Sequence, residues 1–158
     1  MVVIDLKGLP PSSNKAYVNI AGKHRSLSAT GRRYKNKVKT LVASKHRQDL
    51  LSILPNKPYA LLIVLYTQNL FTKLYPHRAR NRYKKFDVTN RAKLLEDALS
   101  EALGVDDSNN ILVTILKVEA PEDKTSVYLW SLEDERSPIY DAAEACIGTE
   151  LRAGTQEV

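Results

Sequence analysis

Apolar positions recur along this chain in three rhythms, and each predicts an element. In residues 90–103 the rhythm is helical: Leu94, Leu95, Ala98, Leu99, Ala102 and Leu103 fall on one stripe of a 3.6-residue turn. Thr89 is the expected N-cap of that helix and Gly104 its stop. Residues 30–51 predict a second helix, with Tyr34, Val38, Leu41, Val42, Lys45 and Leu50 near one stripe. Its other faces carry Arg32, Arg33, Lys35, Lys37, Lys39 and Arg47; Ser28 caps it, and Pro55 and Pro58 end it. Residues 59–67 are short and aliphatic, which predicts a buried central strand. Residues 2–6, 111–118 and 125–132 read as further strands, and 16–27 as a ribbon turning at Gly22-Lys23. Between them, Gly8-Leu9-Pro10-Pro11-Ser12-Ser13-Asn14 breaks regular structure. The expected architecture is α+β: one mixed sheet with two main helices packed on it, in a single domain over residues 1–132. Residues 133–158 read as a mobile tail or as one weak helix through Ile139, Ala143, Cys146 and Ile147.

Composition narrows the class. With 158 residues, 43 % hydrophobic and 27 % charged, the chain suits one globular domain. Its longest apolar run, residues 59–66, is far short of the roughly 20 residues of a membrane helix. Residues 1–6 lack the pattern of a secretory signal, and Cys146 is the only cysteine, so a reducing, cytoplasmic setting is expected. Charge is divided unevenly. Residues 133–158 hold seven acids and two bases, while residues 1–132 hold 22 bases and 11 acids. A body of net +11 with a tail of −5 points to a polyanionic partner, nucleic acid first. Residues 69–85 add a stretch without apolar period, where Arg78, Arg80, Arg82, Lys84 and Lys85 interleave with Tyr75 and Tyr83.

Three acids stand at element boundaries: Asp87 before the clearest helix, and Asp106 and Asp107 after it. Carboxylates suit hard divalent cations, which assist phosphodiester hydrolysis. Asp is also common at caps and turns, and spacing alone favours that plainer explanation. Lys93 either pairs with Asp97 one turn on or points at a phosphate, and Asn90 is a helix-start residue or a positioning donor. His24, His46 and His77 are scattered, and the chain has no phosphate-binding glycine loop, dinucleotide fingerprint or nucleophile elbow.

Several separated stretches together resemble one family. Residues 10–17, Pro-Pro-Ser-Ser-Asn-Lys-Ala-Tyr, are similar to the N-terminal signature of RusA-type Holliday-junction resolvases. Ser28-Ala29-Thr30-Gly31-Arg32-Arg33-Tyr34 resembles their helix entry. Asp87-Val88-Thr89-Asn90-Arg91-Ala92-Lys93, then Asp97-Ala98-Leu99 and Val105-Asp106-Asp107, resemble their acidic block, in the same order and at similar spacing. The resemblance implies a homodimeric, Mg²⁺-dependent endonuclease that resolves four-way DNA junctions by paired symmetric nicks, often carried by phages and prophages. It implies that Asp87 and Asp107 bind the metal, that Lys93 is the essential basic side chain, and that Asp106 is a further catalytic acid. The family has a second acid where this chain has Thr89, whose hydroxyl can ligate Mg²⁺ without bringing charge. An alternative follows from that departure: a branched-DNA-binding protein with weak or no cleavage. DNA contacts are expected at Asn14, Arg32, Arg33, Arg78, Arg80, Arg82, Lys84 and Lys85.

A helix over residues 90–103 is roughly 21 Å long. Residues 104–107 cannot fold back that far, at about 3.6 Å each. One chain therefore cannot bring Asp87 and Asp107 to one metal unless the helix breaks early. An antiparallel pair of these helices about a two-fold axis would do so twice, which makes a site shared across a dimer the expectation.

Overall fold

The residues described in the computed structural model are 1–20, 25–45, 48, 57–68, 70, 86–132, 138, 141, 142 and 145. Strand β4 (Tyr59–Thr67) takes the sheet's centre because it is apolar on both faces, with seven of its nine residues buried. It pairs antiparallel with β6 (Lys124–Ser131) and parallel with β5 (Asn110–Glu119). Strand β1 (Val2–Lys7) pairs antiparallel with β6, so the mixed sheet has the order β1-β6-β4-β5. The registers align Ile4, Val127, Ile63 and Ile115 in one apolar row across all four strands.

Helices α2 (Ala29–Lys45) and α3 (Thr89–Leu103) close over that row. Helix α2 contributes Tyr34, Val38 and Val42 to the core; α3 contributes Ala92, Leu94, Leu95, Ala98 and Leu99. Glu101 of α3 ties the two helices, pairing with Lys35 at 2.5 Å and also with Lys39. The two-helix, one-sheet expectation is met. Strand boundaries at β1, β5 and β6 lie within one residue of the pattern's prediction. The predicted 30–51 helix is observed through Lys45, and residues 46, 47 and 49–51 lie outside the described residues.

Two features go beyond the apolar pattern. A four-residue helix α1 (Ser13–Ala16) follows the Pro-Pro turn, and it leads into the ribbon β2 (Tyr17–Asn19) and β3 (Arg25–Leu27). The ribbon is as expected, but Gly22 and Lys23 lie outside the described residues. A 3₁₀ turn, Asp107–Asn109, joins α3 to β5. The residues that start α2 are tightly tied to α1. Ser28 accepts the Gly31 amide at 3.0 Å on its hydroxyl and donates to the Lys15 carbonyl at 2.6 Å. A Cβ at Gly31 would overlap the Ala16 carbonyl oxygen, so only glycine allows this approach. The expected cap at Ser28 therefore holds.

Because β4 and β5 run parallel, their connection must cross over, and α3 makes the crossover. Just before its start, Phe86 lies under the Lys117 ammonium at 4.5 Å, near the end of β5; its far end leads through the 3₁₀ turn into Asn110, beside Tyr59. The acids at the two ends of α3 are thus held toward opposite ends of the strands, Asp87 near Lys117 and Asp107 near Tyr59. The basic stretch with Arg78, Arg80, Arg82, Lys84 and Lys85, and the tail apart from residues 138, 141, 142 and 145, lie outside the described residues.

Candidate active site

Asp87 is an exposed carboxylate with a fixed orientation. One oxygen, Oδ1, accepts the Thr89 hydroxyl at 2.7 Å and the Asn90 amide at 3.2 Å; the other accepts the Asn90 side-chain amide at 2.5 Å. These donors, the Thr89 hydroxyl foremost, hold its pKa below the usual carboxylate range, and Lys117 adds a smaller push in the same direction. The arrangement corrects the expected cap. Thr89 is the first helical residue, Val88 occupies the cap position with no side-chain bond, and Asp87 satisfies the orphan amide at the helix start. A negative charge is also favoured there by the helix dipole.

Asn90 links this acid to the N-terminal signature, because its side-chain carbonyl accepts the Ser13 hydroxyl at 3.0 Å. The polar stripe continues along α3. Lys93 lies 3.6 Å from Asp97, with 73 % of its side chain exposed. Of the two openings left for Lys93, the ion pair is the one formed, and an exposed pair at this distance is weak. The other Asp97 oxygen accepts the Tyr17 hydroxyl at 3.0 Å, and Arg25 stacks over the Tyr17 ring at 4.8 Å. Asn14 lines a cavity of about 330 Å³ with Tyr17, Asn19 and Arg25. Half-buried Glu96 has its pKa raised, chiefly by burial, with Asp97 and Asp107 adding and Lys93 opposing.

At the far end, Asp106 accepts the Ser108 amide at 2.9 Å and caps the 3₁₀ turn, which lowers its pKa. Asp107 is the first residue of that turn and is exposed. Its charge is felt by Glu96 and by Tyr59, whose pKa is raised mainly by burial. Asp87 and Asp107 are separated by the 15 residues of α3, roughly 22 Å of helix. Among the described residues no three His, Cys, Asp or Glu side chains are grouped to hold a metal.

The donor chemistry at Asp87 nonetheless fits a hard cation. Its carboxylate is kept ionised, and its oxygens retain lone pairs beyond the hydrogen bonds they accept. Mg²⁺ is typically held by one or two carboxylates, with water and substrate phosphates completing the shell. Of the expected DNA contacts, Arg32 is exposed and donates to the Leu27 carbonyl at 2.6 Å, and Arg33 is exposed on the next position of α2. Ser13, Tyr17, Arg25 and Glu96 join the stripe without having been singled out from the sequence. The i, i+4 spacing of Ser13 and Tyr17 within one motif was the available signal.

The family model for endodeoxyribonuclease RusA matches residues 8–129. No curated protein sequence matches the chain. That span takes in every residue of the stripe, from Ser13 to Asp107.

Proposed function

Because the chain belongs to the RusA endodeoxyribonuclease family, whose members resolve Holliday junctions, we propose that it cuts four-way DNA as a Mg²⁺-dependent homodimer, by paired symmetric nicks. The observation that carries this reading is the placement of Asp87 and Asp107 at opposite ends of one helix, with no group of three metal-ligating side chains at either end among the described residues. Two such helices lying antiparallel about a two-fold axis would bring Asp87 of one chain to Asp107 of the other, in two equivalent sites. A junction of approximate two-fold symmetry matches such a pair.

In this reading Asp87, Thr89 and the partner's Asp107 would hold the cation, with Asp106 beside them. When bound, the metal would supply an activated water and a counter-charge to the phosphate. Asn90 and Thr89 keep the Asp87 carboxylate ionised and aimed. Lys93, held among the described residues by the weak Asp97 pair, swings to the phosphate and offsets negative charge developing there. Arg32, Arg33 and Asn14, with the basic stretch through Arg78, Arg80, Arg82, Lys84 and Lys85, give phosphate contacts that carry little base preference. Junction selectivity then comes from shape and symmetry.

Thr89, where the family has an acid, favours one second reading: a protein that grips branched DNA and cuts it poorly. A labelled synthetic four-way junction, incubated with and without Mg²⁺, separates the two. Cleavage is expected with Mg²⁺ alone, as nicks paired across the junction. Retention on a gel without incision would support the second reading, and Thr89→Asp should then restore cutting. The single cysteine supports a reducing cytoplasm, and the family resemblance supports a phage or prophage gene. No described helix is long and apolar enough to cross a membrane.

A further inference from the structure

The three stretches that carry the family resemblance meet at a second place, beside the stripe but distinct from it. A cleft of about 380 Å³ is lined by Ser12 and Lys15 of the first stretch, Arg33 and Tyr34 of the second and Arg91 of the third, together with Lys37. Among the described residues, four cationic side chains line it and no carboxylate does. Two buried donors in its wall, the Tyr34 hydroxyl and the Arg91 Nε, have no hydrogen-bond partner among the described residues. Buried donors are nearly always satisfied, and each orphan costs stability. The walls are fixed from behind: Lys37 donates to the Lys7 carbonyl at 2.6 Å and Arg91 to the Pro10 carbonyl. Burial also pushes the Tyr34 phenol well above its ordinary pKa, so it remains a protonated donor.

We propose that this cleft is a phosphate-binding pocket, in which Tyr34 and Arg91 donate to one phosphate group and Lys15, Arg33 and Lys37 balance its charge. Resting on the DNA-cutting reading above, the phosphate is a backbone phosphodiester of the substrate. Arg91 stands four residues beyond Asp87, roughly 6 Å of helix rise. The pocket therefore grips the substrate backbone close to the scissile position.

Tyr34→Phe removes the hydroxyl and leaves the ring packed. Its Tm should equal or exceed that of the parent, because an unpaired buried donor has gone. Its affinity for a four-way junction should fall about fivefold with the salt slope unchanged, since no charge is lost. Arg33→Gln should weaken binding about tenfold and flatten the slope by about one unit. Junctions carrying one uncharged methylphosphonate at successive positions locate the contact. The position that meets the pocket should weaken binding in the parent by more than the Tyr34→Phe loss, and should cost less in Tyr34→Phe than in the parent because one donor is already gone.

A Tyr34→Phe protein of lower Tm, with unchanged junction affinity and a methylphosphonate scan identical to the parent's, would make the hydroxyl structural and overturn the pocket. Inorganic phosphate distinguishes the source. If it raises the Tm of the parent but not of Tyr34→Phe, while the scan is flat, the pocket takes free phosphate and the backbone assignment is overturned. If the parent binds no junction DNA, the proposed function fails, and a phosphate response abolished by Tyr34→Phe would still uphold the pocket.

Discussion

Gly31 decides how closely α1 can approach α2. Alanine is favoured over glycine inside a helix by about 1 kcal/mol, so Gly31→Ala would stabilise an isolated α2. Here the added methyl meets the Ala16 carbonyl, a backbone atom already accepting the Ser28 amide at 2.8 Å, and neither can rotate away. Overpacking should win, with a net loss of about 1–3 kcal/mol; a urea-denaturation midpoint at or above that of the parent would contradict it. Thr89 poses the second residue-scale question. Its hydroxyl is the largest influence lowering the Asp87 pKa. In Thr89→Val that pKa should rise toward the ordinary value, because the largest influence is gone and only the backbone amides, Asn90 and Lys117 remain. The acid limb of the nuclease activity should move to higher pH with it. Carboxyl chemical shifts followed through a pH titration check this directly, and an unmoved Asp87 midpoint would refute it. The Thr89 hydroxyl's role was not legible in the sequence, because Asp and Thr two residues apart are each good caps and only the backbone conformation chooses between them.

Between elements, the Glu101 pairs with Lys35 and Lys39 join α2 to α3, and they bring the Glu101 pKa down from 4.5 to about 2. A depressed folded-state pKa adds stability above the unfolded value, and that stability is lost as pH falls through the folded value. Glu101→Gln should therefore lower the Tm at neutral pH, with the deficit shrinking between about 4.5 and about 2 and absent below. A deficit independent of pH would mean that packing, not charge, is what the substitution removes. The elements themselves were largely readable. The α3 stripe and the β4 run each bury a periodic apolar face, and periodicity is what a sequence displays. Helix α1 was not readable, because four residues after two prolines carry no period. Its role arises from Ser13 meeting Asn90, 77 positions away, a contact that no local pattern encodes.

For the whole molecule, a connection through α3 fixes the distance between its two acids, and this much could be deduced from helix length before any coordinates. Which side chains surround those acids could not: Tyr17, Arg25 and Glu96 reach the stripe through the fold. The central claim is that Asp87 and Asp107 act in one site built from two chains. Asp87→Asn and Asp107→Asn should each abolish junction cutting while leaving junction binding intact. Mixing the two inactive proteins, with subunit exchange, is the decisive measurement. A mixed dimer would carry one site with both acids and one with neither, so Mg²⁺-dependent nicking of single strands should return. A mixture as inactive as its components, although the parent cuts and the chains exchange, would contradict the shared site.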